Sequence, residues 1–153
     1  GMLVRFAGGS FGDEAVGTLE ASRSLVGPRA RYEIEIYATE GSFIWDFERM
    51  NEIEIAIGRK GDHVGYQRVM ASPTFGDFGN FQPGAGTSMG YDDLKIVEAR
   101  KFLEAYFGGP AKNSNIHDAV SAARVVSAIE ESAESKKWIS INSVSGTTAA
   151  IKK

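Results

Sequence analysis

Histidines and closely spaced carboxylates are the side chains of this sequence best suited to chemistry. The two histidines are His63, in a glycine-rich turn, and His117, which is followed directly by Asp118. Neither has a second histidine at the i, i+4 spacing that places two metal ligands on one helix face. We therefore interpret His63 as a solvated turn residue and His117 as an exposed residue near the start of a helix.

Glutamates also occur in pairs two residues apart, at Glu33 and Glu35 and again at Glu52 and Glu54. Because side chains alternate across a strand, each pair lies on one face, where two carboxylates are able to attract a cation. A solvated strand face explains the same spacing more simply. The pair Asp92–Asp93 indicates a helix start, where negative charge favours the helix dipole.

Several kinds of site lack their required residues. There is no cysteine, which excludes disulfides, thiolate nucleophiles and thiolate metal sites. The Gly84–Gly86 segment lacks the lysine of a P-loop, and no G-x-G-x-x-G motif occurs. We therefore predict no catalytic, cofactor-binding or metal-binding residue in this chain.

The net charge and the hydropathy of the sequence argue against two classes of partner, nucleic acids and membranes. Seventeen basic and 20 acidic residues give a net charge of −3 without a basic stripe, which argues against nucleic acid as a partner. The longest apolar runs are about four residues, against the roughly 18–20 needed to span a bilayer. With no leader sequence before Leu3, these features predict a cytoplasmic protein with no membrane partner.

The first 70 residues alternate with period two, as half-buried strands do. Gly41 is predicted to supply a turn with positive φ. Short turns between the strands favour an antiparallel meander. The predicted strands begin near Val4, Val16, Tyr32, Phe43, Ile53 and Val64, and the second of them extends over Val16–Arg23.

The second half of the chain changes character. Residues 71–90 have no periodicity, and their phenylalanines predict an ordered loop lying against a surface. Two helices follow, the first ending at Gly108–Pro110 and the second capped by Asn115. Trp138–Ile141 predicts a short final strand, and residues 142–153 a frayed tail. The fold class is therefore α+β, a mainly antiparallel open sheet with two helices packed on one face.

Several segments together resemble one enzyme family. They are Gly17–Arg23, with the sequence G-T-L-E-A-S-R, then Glu35–Ser42, Asp46–Glu52, the Gly90-Tyr91 pair before a helix, and a late helix ending in Ser132-Ala133-Glu134. Their order and spacing resemble the carboxy-terminal domain of the glucose–fructose oxidoreductase, inositol dehydrogenase and rhizopine catabolism (Gfo/Idh/MocA) family. The resemblance covers most of residues 3–141 and implies a dihydrodipicolinate-reductase-like α+β fold.

The resemblance also implies a division of labour. The family holds NAD(P) in an amino-terminal Rossmann domain, and its catalytic lysine, aspartate and histidine lie upstream of the matched segment. None of these has a counterpart here. Residues 2–141 are accordingly predicted to be the carboxy-terminal domain of a sugar or polyol oxidoreductase, without its Rossmann domain. Gly1-Met2 reads like a tag scar, and a chain that opens inside a strand pattern is expected to be a piece of something longer.

What carries over to this chain is a wall of the substrate pocket and an oligomerisation surface. The resemblance puts forward Arg23, Arg29 and Tyr91 as pocket residues, with surface arginines and a helix-packing tyrosine as the simpler interpretations. It implies NAD(P) for the full-length parent and a homo-oligomer formed through the sheet. The alternative is a stand-alone binding or oligomerisation module derived from that family.

Overall fold

The computed structural model describes residues 1–6, 15–58 and 65–143. The chain divides into two compact units, the first combining residues 1–23 with 112–153 and the second comprising residues 24–111. The strands are β1 (Met2–Arg5), β2 (Val16–Leu19), β3 (Glu33–Ala38), β4 (Gly41–Asp46), β5 (Glu52–Ile57) and β6 (Gln67–Met70). The helices are α1 (Tyr91–Tyr106) and α2 (Ile116–Ser135), with short 3₁₀ helices at Phe47–Arg49, Gly76–Asn80 and Ile141–Ser143.

The second unit contains an antiparallel sheet with strand order β3-β4-β5-β6. Ile36 pairs with Phe43 and Phe43 with Ile55, so the apolar side chains of the alternating pattern share one face. Glu35 pairs with Ile44 and Ile44 with Glu54, which places the carboxylates on the opposite face. The predicted period-two alternation of these strands is thereby confirmed.

The first unit contains a separate two-stranded antiparallel sheet, β1-β2, together with α2. Asn115 begins α2 with a capping box, in which its side-chain oxygen accepts from the His117 backbone N–H at 2.8 Å and Asp118 accepts from the Asn115 N–H at 2.8 Å. The helix ends at Ser135, and the next residue, Lys136, caps it with a left-handed φ of 58° and donates its backbone N–H to the Ser132 carbonyl. The predicted cap is confirmed, and so is the α+β class.

The final strand predicted at Trp138–Ile141 is wrong. Residues 138–140 form no regular element, and Ile141–Ser143 is a 3₁₀ helix. The Ser132 hydroxyl donates to the Lys137 carbonyl at 2.7 Å, which ties the chain back to the end of α2. The Arg5 guanidinium lies 5.2 Å from the centroid of the Trp138 ring, so this aromatic residue serves a cation–π contact.

Two further expectations are corrected. The run predicted as a strand over Val16–Arg23 is a strand only to Leu19. Gly41 does not have a positive φ, although it is required for another reason. A Cβ atom at Gly41 would lie 2.6 Å from the Ala56 carbonyl oxygen, so only glycine permits the close approach of β4 to β5.

Of the helices formed by the described residues, none combines the length and the apolar character needed to cross a membrane.

Candidate functional site

A row of four aromatic rings runs through the second unit. Tyr32 and Trp45 meet edge to face at 6.1 Å between ring centroids, Trp45 and Phe47 at 6.1 Å, and Phe47 and Tyr91 at 6.2 Å. The Phe47 backbone N–H donates to the Tyr32 carbonyl at 2.9 Å, which fixes the middle of the row to the chain before β3. Edge-to-face geometry is the favoured arrangement of aromatic pairs, so the row forms a defined apolar wall.

A carboxylate next to this aromatic row anchors the loop that precedes β3. One oxygen of Glu48 accepts from the backbone N–H groups of Arg29 at 2.7 Å and Ala30 at 2.8 Å. These two donors lower the pKa of Glu48, because they stabilise its charged form. The Asp46 carboxylate accepts from the Glu48 backbone N–H at 2.9 Å and so begins the 3₁₀ helix Phe47–Arg49.

The structure therefore brings Arg29 and Tyr91 to the same short 3₁₀ helix. Arg29 is bound through its backbone to Glu48, which leaves its exposed side chain available for other contacts. The Tyr91 ring contacts Phe47 and remains 55% exposed, with the Lys95 ammonium 5.4 Å from its centroid. Arg23, the third predicted pocket residue, is exposed in the first unit, beyond the end of β2.

Three of the four paired glutamates, Glu33, Glu52 and Glu54, have cationic partners within the chain. Glu33 forms an ion pair with Arg31, and Glu52 with Arg49. Arg68 lies 3.6 Å from Glu52 and 4.0 Å from Glu54. The hydrogen bond from Arg49 to Glu52 raises the pKa of Arg49. The described residues contain no group of three or more histidines and carboxylates able to hold a metal ion.

Tyr37 and Glu35 form a polar pair on the same sheet face. The Tyr37 hydroxyl donates to a Glu35 oxygen at 2.7 Å, which lowers the pKa of Glu35 and raises the pKa of Tyr37 to about 12. The bond favours the neutral phenol and the charged carboxylate together. The pair thus keeps the Glu35 carboxylate engaged with the Tyr37 hydroxyl.

His117 is exposed in the first turn of α2, as predicted, and its backbone N–H is used by the Asn115 cap. His63 lies outside the described residues. Every strand pairing among the described residues is antiparallel, so this part of the chain offers no parallel βαβ unit for a dinucleotide.

The segment 71–90 is ordered by bonds to its neighbours. Asp77, in the 3₁₀ helix Gly76–Asn80, forms an ion pair with Lys101 of α1 at 2.6 Å. The Asn51 side chain forms two hydrogen bonds, each 2.8 Å long, with the backbone of Met89. Sequence reasoning missed both Glu48 and Asn51, whose partners are backbone groups distant in sequence.

Comparison with known proteins identifies relatives of the whole described fold. Residues 6–141 match the model of the oxidoreductase family's C-terminal alpha/beta domain. Levoglucosan dehydrogenase of Pseudarthrobacter phenanthrenivorans is 31% identical over 144 residues, which are 94% of this chain and 36% of that protein.

Solved structures of related oxidoreductases have the same fold as this chain. Levoglucosan dehydrogenase in complex with NADH and levoglucosan superposes with a TM-score of 0.81 and 30% identity, covering 93% of this chain and 38% of that one. An NAD binding oxidoreductase from Klebsiella pneumoniae gives a TM-score of 0.78 and 28% identity, covering 91% and 36%. The chain thus spans little more than a third of the length of these relatives. It belongs to the Gfo/Idh/MocA oxidoreductase family, whose C-terminal alpha/beta domain it matches from residue 6 to residue 141.

Proposed function

We propose that this chain is the carboxy-terminal, substrate-pocket and oligomerisation domain of an NAD(P)-dependent oxidoreductase acting on a hydroxyl group of a sugar or polyol. The observation that carries the proposal is the TM-score of 0.81 to a levoglucosan dehydrogenase complexed with NADH and levoglucosan. A related complex of that enzyme contains L-sorbose, which supports a sugar-like substrate class.

The domain contributes binding rather than catalysis. The described residues provide no βαβ unit, so we expect NAD(P) and the proton-transferring residues to reside in another part of a full-length protein. This division agrees with the length of the relatives, of which the chain covers 36–38%.

Two side chains, each held next to the 3₁₀ helix Phe47–Arg49 by a contact of its residue, are suited to bind a sugar. Tyr91 presents an exposed phenol at the end of the aromatic row, and Arg29 presents a guanidinium from a loop fixed by Glu48. A guanidinium and a phenol donate hydrogen bonds to hydroxyl oxygens, while an aromatic ring packs against the apolar C–H face of a sugar. Arg23, in the first unit, is proposed as a pocket residue on the strength of the family resemblance alone.

Activity of the full-length gene product that carries this domain tests the proposal. We expect reduction of NAD⁺ or NADP⁺ with at least one compound from a panel of levoglucosan, L-sorbose and polyols. Tyr91→Phe should raise the KM for that compound by about two- to tenfold, the equivalent of one neutral hydrogen bond, and Arg29→Ala by about 10- to 100-fold, because its donor is charged.

Arg124→Ala is the matched control, because Arg124 is an exposed arginine on α2. The KM of this variant should equal that of the wild type. Absence of nicotinamide reduction across the panel would refute the enzyme assignment. An unchanged KM in both variants would refute the pocket assignment alone.

The alternative is a binding or oligomerisation module that works without an enzyme. Its support is the exposure of apolar sheet residues, including Ile36 at 49% and Ile57 at 80%, which a partner would cover. Calorimetry on the 153-residue chain distinguishes the two, because sugar binding without a nicotinamide favours the module. Saturable NAD(P) binding by this chain alone would contradict both.

A further inference from the structure

One residue joins both ends of the segment 71–90. The Asn51 backbone carbonyl accepts from the Ala71 N–H at 2.7 Å, at the start of the segment. Its side-chain oxygen accepts from the Met89 N–H at 2.8 Å, and its side-chain nitrogen donates to the Met89 carbonyl at 2.8 Å. We call these three hydrogen bonds the Asn51 clasp. Loops whose ends are held close together are frequently functional.

Among the described residues of the second unit, the clasp lies where the chain is least exposed to solvent. Met89 is 5% exposed and Gln82, in the same segment, is 4% exposed, whereas the large apolar residues of the sheet are half-buried or exposed. Backbone groups removed from water in this way depend on a protein partner. The carboxamide of Asn51 is matched to that need, because it donates and accepts side by side, as a neighbouring strand would.

The clasp lies directly before α1, which begins at Tyr91. Met89 precedes Tyr91 by two residues, and the intervening Gly90 donates its N–H to Asp93 at 2.7 Å as α1 starts. Tyr91 then contacts Phe47, which lies on the same hairpin as Asn51, between β4 and β5. The start of α1 is therefore attached to this hairpin at two points, through Met89 and through Tyr91.

We propose that Asn51 is a positioning residue that closes the segment 71–90 and sets the place of Tyr91 in the aromatic row. Its consequence for sugar binding rests on the function proposed above, because only there does Tyr91 contact a substrate. The clasp itself requires neither a sugar nor a nicotinamide.

Nuclear magnetic resonance on the 153-residue chain tests this with Asn51→Ala, which deletes the two side-chain bonds. We expect the nuclear Overhauser contact between the Tyr91 and Phe47 rings to weaken severalfold. The Met89 amide should exchange with solvent about 10- to 100-fold faster, while amides in β3 and β4 keep their wild-type rates. Asn80→Ala is the control, since Asn80 is exposed in the same segment, and it should alter neither measurement.

Asn51→Asp separates hydrogen bonding from simple packing. At neutral pH its carboxylate still accepts from Met89 N–H but repels the Met89 carbonyl, so the Tyr91–Phe47 contact should be weaker than in the wild type. Acidification to about pH 4 and below protonates the new side chain and restores a donor, so the contact should recover. The wild-type chain at the same pH values provides the reference.

An Asn51→Ala chain with wild-type ring contacts and exchange rates would overturn the proposal. If that variant instead unfolds, with fast exchange throughout β3 and β4, the Asn51→Asp variant provides the test of the positioning role. Recovery on acidification then supports the positioning role, and a contact that does not respond to pH overturns it. Because no ligand enters these measurements, loss of the enzyme assignment leaves their result unaffected.

Discussion

At the scale of single residues, Glu48 shows how a side chain organises backbone. Its carboxylate receives two consecutive N–H groups, from Arg29 and Ala30, at 2.7 and 2.8 Å. Hydrogen bonds to an ionised acceptor are roughly twice as strong as neutral ones. The loop that presents the Arg29 side chain is therefore held by charge, which makes its order dependent on pH.

The sign of that dependence follows from the pKa of Glu48, which is lowered from the ordinary value of 4.5. A carboxyl with a depressed folded-state pKa contributes stability that is fully present above 4.5 and is lost as the pH falls through the folded-state value. A carboxyl resonance titration should accordingly place Glu48 below 4.5. The amides of Arg29 and Ala30 should lose protection over the same acidic window.

Glu48→Gln should accelerate exchange of the Arg29 and Ala30 amides at neutral pH by a factor on the order of five, because a neutral oxygen accepts more weakly. Glu40→Gln is the matched control, since Glu40 is exposed in the β3–β4 turn, and it should leave both amides unchanged. Equal rates in the wild type and Glu48→Gln would contradict the anchoring role.

At the scale of elements, sequence patterns predicted the strands and helix caps that interactions between residues close in sequence determine. The alternation of Ile34 and Ile36 with Glu33 and Glu35 predicted β3, and the register confirms the two faces. Asn115 was identifiable as a cap because the cap acts within three residues.

The strand predicted at Trp138–Ile141 failed because none of the strands among the described residues pairs with this segment. The chain there is held by the Ser132–Lys137 bond and follows the left-handed residue Lys136. Asn51 and Glu48 were missed for a related reason. Their partners lie 38 and 18–19 residues away in sequence, and such contacts leave no periodic trace. The family resemblance put forward Arg23, Arg29 and Tyr91 as pocket residues, and this assignment stays a prediction.

Gly41 provides a prediction about the sheet. Gly41→Ala would place its Cβ 2.6 Å from the Ala56 carbonyl oxygen, so the β4–β5 hydrogen bonds must shift. We expect a loss of roughly 1–3 kcal/mol in the free energy of unfolding, measured by urea denaturation.

Gly84→Ala serves as the comparison, because a Cβ there meets nothing within 4 Å and the φ of Gly84 is not positive. Its effect should lie between zero and a gain of about 1 kcal/mol, since alanine restricts the unfolded chain. Equal destabilisation by both substitutions would show that the close approach at Gly41 has no special role.

At the scale of the whole molecule, the described residues leave much apolar surface in contact with water. None of their large side chains is fully buried, and exposed apolar residues occur in both units, for example Val16 and Val126 in the first and Ile57 and Phe107 in the second. Exposed apolar residues scattered singly are normal, but a sheet face with adjacent exposed isoleucines indicates an interaction surface. This surface supports the proposed homo-oligomer.

Ile36 is suited to test self-association, because it lies on the edge strand β3, points to the apolar face with Phe43 and is 49% exposed. Ile36→Lys places a charge where a second copy would pack, and an unpaired charge is costly to bury. Light scattering across a concentration series should show self-association of the wild-type chain, weakened about tenfold or more in the variant, which equals about 1.4 kcal/mol.

Glu40→Lys makes a larger change of charge in the turn at the end of the sheet and should preserve association. A wild-type chain that stays monomeric at micromolar concentration would refute self-association, and equal weakening by both lysines would assign the effect to net charge instead of to the apolar face.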